Sequence, residues 1–257
     1  MTDNLERFAS GESLIHRLDP RYRLVAAVLI ILPAALVSRP ATAAAALGLG
    51  LALVLAARLP LGPVLNRLKG PLFFVALLWI FLPFSVPGRE LFHLGPFSAT
   101  REGMDMALMV SLKAMAILLV LTGLAATMPV HELGRAMQKL KVPEKLCHVL
   151  LFTYRYLYVL SDEHHRQMRS VKARGFAPGT NLHTYRTYAY LVGMLLVRSW
   201  DRSERVYKAM LCRGFSGKFH SLARFRSGPM DRAFLALAGL CGAALLTGDI
   251  LSGGRPW

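Results

Sequence analysis

The stretch PLFFVALLWIFLPFSVP, residues 71–87, consists almost entirely of aromatic and aliphatic side chains and contains no charged residue. A helix at the surface of a soluble protein has one apolar face and one polar face, and this stretch shows no such division. An uncharged run of this kind approaches the roughly 20 residues that an α-helix needs to cross about 30 Å of hydrocarbon. The stretch therefore predicts a helix that spans a membrane.

Apolar runs recur along the chain on both sides of this stretch. The others cover residues 24–37, 41–57, 104–128 and 233–248. The first is short and contains Pro33, so we expect Tyr22 and Arg23 to extend it by snorkelling to the interface. Lys113 lies within a later run, where it is costly unless it faces the helix bundle or snorkels. The sequence predicts an all-α integral membrane protein with about five transmembrane helices and a polar loop at 88–103.

The excess of positive charge bears on both partners and orientation. The chain has 31 Lys and Arg against 15 Asp and Glu, and from Val130 to Met230 the counts are 18 and six. Such an excess suits either a nucleic-acid partner or the cytoplasmic face of a membrane protein, and its position between apolar runs favours the second. By the positive-inside rule we expect a multi-pass protein of the bacterial inner membrane, with its N-terminus and basic region in the cytoplasm.

The basic region predicts helices of its own. Residues 129–141 have apolar and basic side chains at helical spacing, which indicates a short amphipathic helix on the membrane surface. Two long helices follow, from about Pro143 to Arg174 and from about Leu182 to Arg213. Each starts apolar and ends charged, and the apolar part of the second is too short to cross a bilayer.

The chain is accordingly predicted to have three parts. Residues 1–128 form the N-terminal segment and transmembrane helices 1–4, residues 129–231 form a cytoplasmic coupling region, and residues 232–257 form transmembrane helix 5 and a C-terminal tail. Within the coupling region three pairs of opposite charge stand four residues apart, and such spacing predicts ion pairs along a helix. They are Asp162 with Arg166, Asp201 with Arg205, and Glu204 with Lys208.

Two similar tetrapeptides end the long helices. Residues 173–176 read ARGF and residues 212–215 read CRGF. Glycine is a common helix stop, and arginine near a helix C-terminus is favoured by the dipole, so either segment alone fits simple capping. Capping requires neither the phenylalanine nor the repetition. Two matching ends instead predict two matching receptors, such as two copies of an ATPase subunit.

These paired arginine motifs resemble those of the transmembrane T component of energy-coupling factor (ECF) transporters. The opening segment LIHRLDPRYRL, residues 14–24, is similar to the N-terminal segment of that family. The segment CRGFSGKFHSL, residues 212–222, and the stretch at 142–163 resemble the cobalt-type, CbiQ-like branch. The resemblance covers nearly the whole chain.

The resemblance implies a division of labour among subunits. Two ATPase subunits hydrolyse ATP and hold the ATP and Mg²⁺, a separate membrane subunit captures the substrate, and this chain couples them; a small accessory membrane subunit can also join. No cofactor is expected on this chain. The residues expected to bind the ATPases, with Arg174 and Arg213 entering acidic grooves, are Ala173, Arg174, Gly175, Cys212, Arg213 and Gly214.

Motifs of other function classes are missing from the sequence. It contains no GxxxxGK[ST] loop and no GxSxG elbow, so neither ATP binding nor serine hydrolysis is expected of this chain. The adjacent pairs Cys147-His148 and His164-His165 lack the spacing of metal ligands, so no metal site is expected. A membrane-bound enzyme with an unfamiliar site is a third and weaker reading.

Two questions stay open at this point. The resemblance implies cobalt as the cargo, with nickel or a vitamin as alternatives. The second class of function is a self-sufficient channel or secondary transporter, which needs polar residues at mid-membrane or broken helices. Lys113 and Pro33 are the features of this sequence that fit that class.

Overall fold

The structure is a computed structural model that describes residues 13–16, 18–94, 97–217, 228–251 and 253. The helices are α1 (Pro20–Leu36), α2 (Pro40–Ala56), α3 (Leu61–Ser85), α4 (Arg101–Val120), α5 (Val130–Lys139), α6 (Glu144–Ala173), α7 (Leu182–Cys212) and α8 (Pro229–Leu251). A π-helical turn, Leu121–Ala125, continues α4. One compact unit ends at Leu133 and resumes with α8, and a second begins at Gly134. The three parts predicted from the sequence, with boundaries after residues 128 and 231, stay a prediction.

Within the described part of the chain, three helices are long and apolar enough to cross a membrane. They are α3 from Gly62, α4 together with its π-helical turn, and α8. Helices α1 and α2 have 17 residues each, and α2 carries no charge. The prediction of an all-α membrane protein is confirmed. The count of five spans stays a prediction, because α1 and α2 are shorter than the roughly 20 residues that a span normally needs.

The segment predicted as a polar loop at 88–103 forms a small hairpin instead. Strand β1 (Glu90–Leu94) pairs antiparallel with β2 (Phe97–Thr100). The loop prediction missed this pairing because a short connection lets two adjacent extended segments satisfy each other's backbone hydrogen bonds. The hairpin leads directly into α4, where the Thr100 hydroxyl accepts the Gly103 N–H at 3.3 Å as an N-cap.

The helices of the first unit approach one another closely at small residues. A Cβ built on Gly242 would lie 2.3 Å from the carbonyl oxygen of Leu29. The backbone of α1 therefore occupies the space that a side chain at position 242 of α8 would need. A Cβ on Gly50 would lie 3.0 Å from the Cβ of Leu119, where α2 meets α4. Close approach at glycine is the usual way for helices to associate in lipid. The core so formed includes Ala26, Ala27, Ile30, Val54, Leu119, Val120 and Leu124.

The structure corrects the expected position of Arg23. We expected its side chain to snorkel, but Arg23 is fully buried, and its guanidinium donates to the Leu124 carbonyl at 3.4 Å and to the Thr127 hydroxyl. A helix end next to a π-helical turn offers acceptors that a regular helix has already used. Lys113 faces the bundle, one of its two expected positions, and donates to the Ala35 carbonyl at 3.0 Å.

Two buried carboxylates attach α8 to the start of the chain. The Asp249 carboxylate accepts the Ser38 N–H at 3.0 Å and the Arg39 N–H at 3.1 Å, and it also accepts the Thr42 hydroxyl at 2.9 Å. Ser38 and Arg39 form the turn between α1 and α2, and their N–H groups have no partner within a helix. Asp249 therefore serves as a cap that is supplied by a distant part of the sequence.

The second carboxylate acts at the opposite end of α8. Asp231 is buried, and its Oδ1 accepts the Asp19 N–H at 2.9 Å, just before α1 begins. Its Oδ2 accepts the Gly228 N–H at 2.7 Å, which caps the first turn of α8 itself. Helices α1 and α8 are thus joined at both of their ends by carboxylate-to-backbone hydrogen bonds.

We expect Asp249→Ala to destabilise the first unit strongly. The substitution leaves two backbone N–H groups without an acceptor, and each such loss typically costs about 1–3 kcal/mol. The thermal unfolding midpoint of the purified protein in detergent measures the effect. Asp105→Ala is the matched control, because Asp105 is exposed. Equal midpoints for the two variants would contradict the capping role.

Candidate functional site

Helices α6 and α7, with the connection between them, form an antiparallel hairpin, called here the coupling hairpin. Two pairs mark the alignment from the turn outward: Phe176 with Tyr188, and Glu163 with Arg198. The partner numbers rise along α7 as they fall along α6, so the two helices run in opposite directions. With 31 residues, α7 is about 46 Å long at roughly 1.5 Å per residue.

The first end of interest is the C-terminus of α6. The Gly175 N–H donates to the Lys172 carbonyl at 3.0 Å, and the Phe176 N–H donates to the Val171 carbonyl at 3.3 Å. This pair of bonds is a Schellman motif, and it places Gly175 at a φ of +84°, which glycine adopts without steric cost. Arg174 is the C-cap residue, with φ −89° and ψ 15°.

The C-terminus of α7 repeats this geometry. The Gly214 N–H donates to the Leu211 carbonyl at 3.0 Å, and the Phe215 N–H donates to the Met210 carbonyl at 3.1 Å. Gly214 has a φ of +76°. Arg213 is again the C-cap residue, with φ −95° and ψ 14°. The two tetrapeptides therefore adopt the same local structure, residue for residue, and present each arginine from the same position.

Both ends are open to solvent. The exposed residues are Ala173, Arg174, Gly175, Cys212, Arg213 and Gly214. Neither guanidinium has a hydrogen bond or an ion pair with any residue that the structure describes. An exposed guanidinium without a partner can donate two parallel hydrogen bonds to a carboxylate of another molecule. The function of these six residues in binding stays a prediction.

The hairpin separates the two ends in space. Arg174 lies at the turn of the hairpin, where α6 ends, and Arg213 lies at the far end of α7, on the level of the start of α6. The similarity of the two ends could be predicted from the sequence, but their opposite directions could not, because direction depends on how α7 packs on α6. Two receptors that bind these ends must therefore be separate bodies or separate surfaces, tens of ångströms apart.

An ion pair in the middle of the coupling hairpin was not predicted from the sequence. We predicted that Arg166 pairs with Asp162, but its Nε lies 3.8 Å from Oε2 of Glu163 instead. Glu163 is buried and also accepts a hydrogen bond from Arg198 on α7. The predicted pair of Glu204 and Lys208 is confirmed at 3.3 Å. The predicted pair of Asp201 and Arg205 does not form among the described residues. Spacing finds partners on one helix, whereas Arg198 lies on another.

The pair predicts an acid dependence of stability. The hydrogen bond from Arg198, opposed by burial, holds the pKa of the Glu163 carboxyl below its ordinary value of 4.5. A lowered folded-state pKa stabilises the protein above the ordinary value, and this contribution is lost as pH falls through the folded-state pKa. We expect the difference in unfolding midpoint between wild type and Glu163→Gln to be present at pH 7 and to shrink below about pH 4.5. A difference independent of pH would contradict this account.

Metal-ligating groups do not cluster in the described ranges. Among those residues no group of three or more His, Cys, Asp or Glu side chains is close enough to hold an ion. The chemistry that the described surface offers is therefore that of exposed arginines, an apolar hairpin surface and a membrane-spanning bundle.

Comparison with known proteins gives a consistent result. The family model CbiQ, described as cobalt transport protein, matches residues 11–222. The energy-coupling factor transporter transmembrane protein EcfT of Acidaminococcus fermentans is 28% identical over a 229-residue alignment, with coverage of 84% of this chain and 85% of that protein. The protein of the same name from Streptococcus thermophilus is 29% identical over 222 residues, with coverage of 82% and 84%. The Bacillus subtilis protein of that name is 28% identical over 224 residues, with coverage of 82% and 84%.

The family match runs from the segment before α1 to beyond the end of α7, so it includes both arginine ends. The alignments to these relatives cover more than four fifths of this chain and of the relatives themselves. The resemblance drawn from the repeated arginine motif is confirmed: the chain belongs to the CbiQ family, whose relatives include the transmembrane T components of energy-coupling factor transporters.

Proposed function

We propose that this chain is the non-catalytic coupling subunit of an ECF-type importer, which transmits the motion of ATPase subunits to a separate substrate-binding membrane subunit. The observation that supports it most is the repeated end structure of the coupling hairpin. Arg174 and Arg213 stand at identical C-cap positions, exposed and without partners among the described residues. Two equivalent arginines suit two equivalent receptors, and a pair of ATPase subunits provides them.

The shape of each end suits insertion into a groove. The neighbours of the arginines are small, with Ala173 and Gly175 at one end and Cys212 and Gly214 at the other. Small neighbours let a guanidinium reach a recessed carboxylate, with which it forms two parallel hydrogen bonds. The surrounding chain is strongly basic, which attracts an acidic surface and speeds association. When the two ATPases move relative to each other, a hairpin attached to both must move as well.

The family match supports the proposed partners and the proposed cargo. ATP and Mg²⁺ belong to the ATPase subunits, and the cargo belongs to the substrate-binding membrane subunit. Cobalt is the proposed cargo because the matching family is described as a cobalt transport protein, and nickel or a vitamin are the alternatives. The basic loops support an inner-membrane orientation with the N-terminus and the coupling hairpin in the cytoplasm.

Copurification from the native host tests the proposal. The wild-type chain and the double variant Arg174→Ala, Arg213→Ala are each solubilised in mild detergent and captured. We expect an ATPase to accompany the wild type and to be lost from the double variant, since truncating one member of a charged pair costs about 2–5 kcal/mol. The double variant Arg186→Ala, Arg205→Ala is the matched control, because it removes the same charge from exposed positions within α7.

The outcomes separate the proposal from its alternatives. If the wild type carries no ATPase, or if the end variant retains it as the control does, the arginines are only helix caps and the coupling function is wrong. Uptake by the purified chain alone in liposomes would instead support the self-sufficient transporter. Metal analysis of the membrane subunit that copurifies with the wild type identifies the cargo class.

A further inference from the structure

The middle of the coupling hairpin contains a charge where apolar packing would be expected. The Glu163 side chain is only 11% exposed, while its partner Arg198 on α7 is 53% exposed. Burying a carboxylate is costly unless a cation accompanies it. The buried Glu163 carboxylate of α6 is therefore paired with the partly exposed Arg198 guanidinium of α7. Separating the two helices at this point would leave the carboxylate without that cation.

The position of this pair within the hairpin is central. On the turn side, the rings of Phe176 and Tyr188 meet at 5.9 Å. On the other side, a groove of about 520 Å³ opens between the helices, lined by Phe152, Tyr156, Val206, Tyr207 and Met210 among others. The helices therefore separate from each other beyond the ion pair rather than packing along their full length.

The contacts of the carboxylate differ in what they can do. Arg166 lies on the same helix, three residues on, so its contact with Glu163 cannot hold α6 to α7. Arg198 lies on the other helix, and its hydrogen bond to Glu163 fixes one point of α6 against one point of α7. Together with the contact at the turn, this second fixed point near the middle of the two long helices restricts the angle at which they cross. It thereby restricts the distance between the ends at Arg174 and Arg213.

We propose that the Glu163–Arg198 pair is a positioning joint of the coupling hairpin, which sets the spacing of the two arginine ends so that both engage their receptors at once. The inference deepens the proposed function and rests on it for the coupling step. Binding at two ends gains from effective concentration only if the spacing matches that of the receptors. Loss of the joint therefore reduces two-ended binding without removing either arginine.

The spacing can be measured on the chain alone. Spin labels are attached to the native Cys212 and to a cysteine introduced by Ala173→Cys, after Cys147→Ala and Cys241→Ser have removed the other thiols. Double electron–electron resonance then gives the distribution of distances between the ends, in the full chain in nanodiscs. We expect a narrow distribution in this background and a shifted or clearly broadened one after Glu163→Gln or Arg198→Met.

Two variants keep the test falsifiable. Arg198→Lys retains the cation and is expected to keep the narrow distribution. Glu204→Gln is the matched control, because it removes the exposed pair with Lys208 within α7 and leaves the link between the helices intact. An unchanged distribution in both Glu163→Gln and Arg198→Met overturns the joint. The same shift in the Glu204→Gln control also overturns it, because any loss of charge would then suffice.

The functional consequence is measured separately. Glu163→Gln and Arg198→Met keep Arg174 and Arg213 but are expected to bind an ATPase pair about a hundredfold more weakly, because binding at both ends at once contributes about that factor to the affinity. Arg198→Lys is expected to bind nearly as the wild type does. Unchanged binding by a variant whose end distances have shifted overturns the joint's function in coupling. Failure of the wild type to bind any ATPase overturns the proposed function instead, and the distance measurement still decides the joint itself.

Discussion

A chain that keeps only one of its two arginines is expected to bind an ATPase pair about a hundredfold more weakly than the wild type. Arg174→Ala and Arg213→Ala should have effects of similar size, because the two residues occupy the same C-cap geometry. A hundredfold loss corresponds to about 2.7 kcal/mol, within the roughly 2–5 kcal/mol that truncating one partner of a buried charge pair costs. The double variant should show no measurable binding.

The single variants test the idea of two receptors directly. Purified ATPase subunits are titrated onto the chain in nanodiscs, and the dissociation constant is compared among the wild type, the two single variants and Arg186→Ala as the control. If the arginines bound one shared receptor, either single loss would equal the double loss. A single variant with wild-type affinity would show that its end makes no contact, which contradicts the equivalence of the two ends.

Gly242→Ala is expected to lower the stability of the membrane-spanning unit by about 1–3 kcal/mol or more, through overpacking of α8 against α1. The added methyl group would lie 2.3 Å from the Leu29 carbonyl oxygen and 3.2 Å from Cγ of Pro33. A backbone oxygen cannot move aside as a flexible side chain can, so the two helices must separate. The unfolding midpoint in detergent measures the loss.

Gly239 provides a control of the opposite sign. It lies one turn earlier on α8, and a Cβ there meets nothing within 4 Å. Alanine is favoured over glycine in a helix by about 1 kcal/mol, so Gly239→Ala should leave the midpoint unchanged or raise it. Equal midpoints for the two variants would contradict the close approach of α8 to α1.

The elements that follow from local sequence were predicted correctly. Glycine at 175 and 214 marks helix ends because a left-handed C′ residue is a local requirement, and α6 and α7 end one residue before Arg174 and Arg213. The long apolar runs gave the membrane-spanning helices for a similar reason, since length and hydropathy are properties of one segment. The repetition of the arginine tetrapeptide gave the candidate site and the family together.

The interactions that join distant segments were not predictable in this way. Arg23 was expected at the interface, because its charge was visible in the sequence and the acceptors beside Thr127 were not. Asp249 accepts hydrogen bonds from the turn between α1 and α2, which lies more than 200 residues earlier in the chain. Glu163 found its partner on another helix. In each case the partner is chosen by packing, which spacing along one segment does not encode.

The two carboxylates of α8 also set an order for the biogenesis of this protein. The first helices leave the ribosome long before Asp231 and Asp249 are translated, yet the N–H groups at Asp19, Ser38 and Arg39 depend on those carboxylates. The early helices therefore form with unfinished caps, and the last one completes them. A nascent chain interrupted before α8 would lack both carboxylates, and these N–H groups would then have no such acceptor.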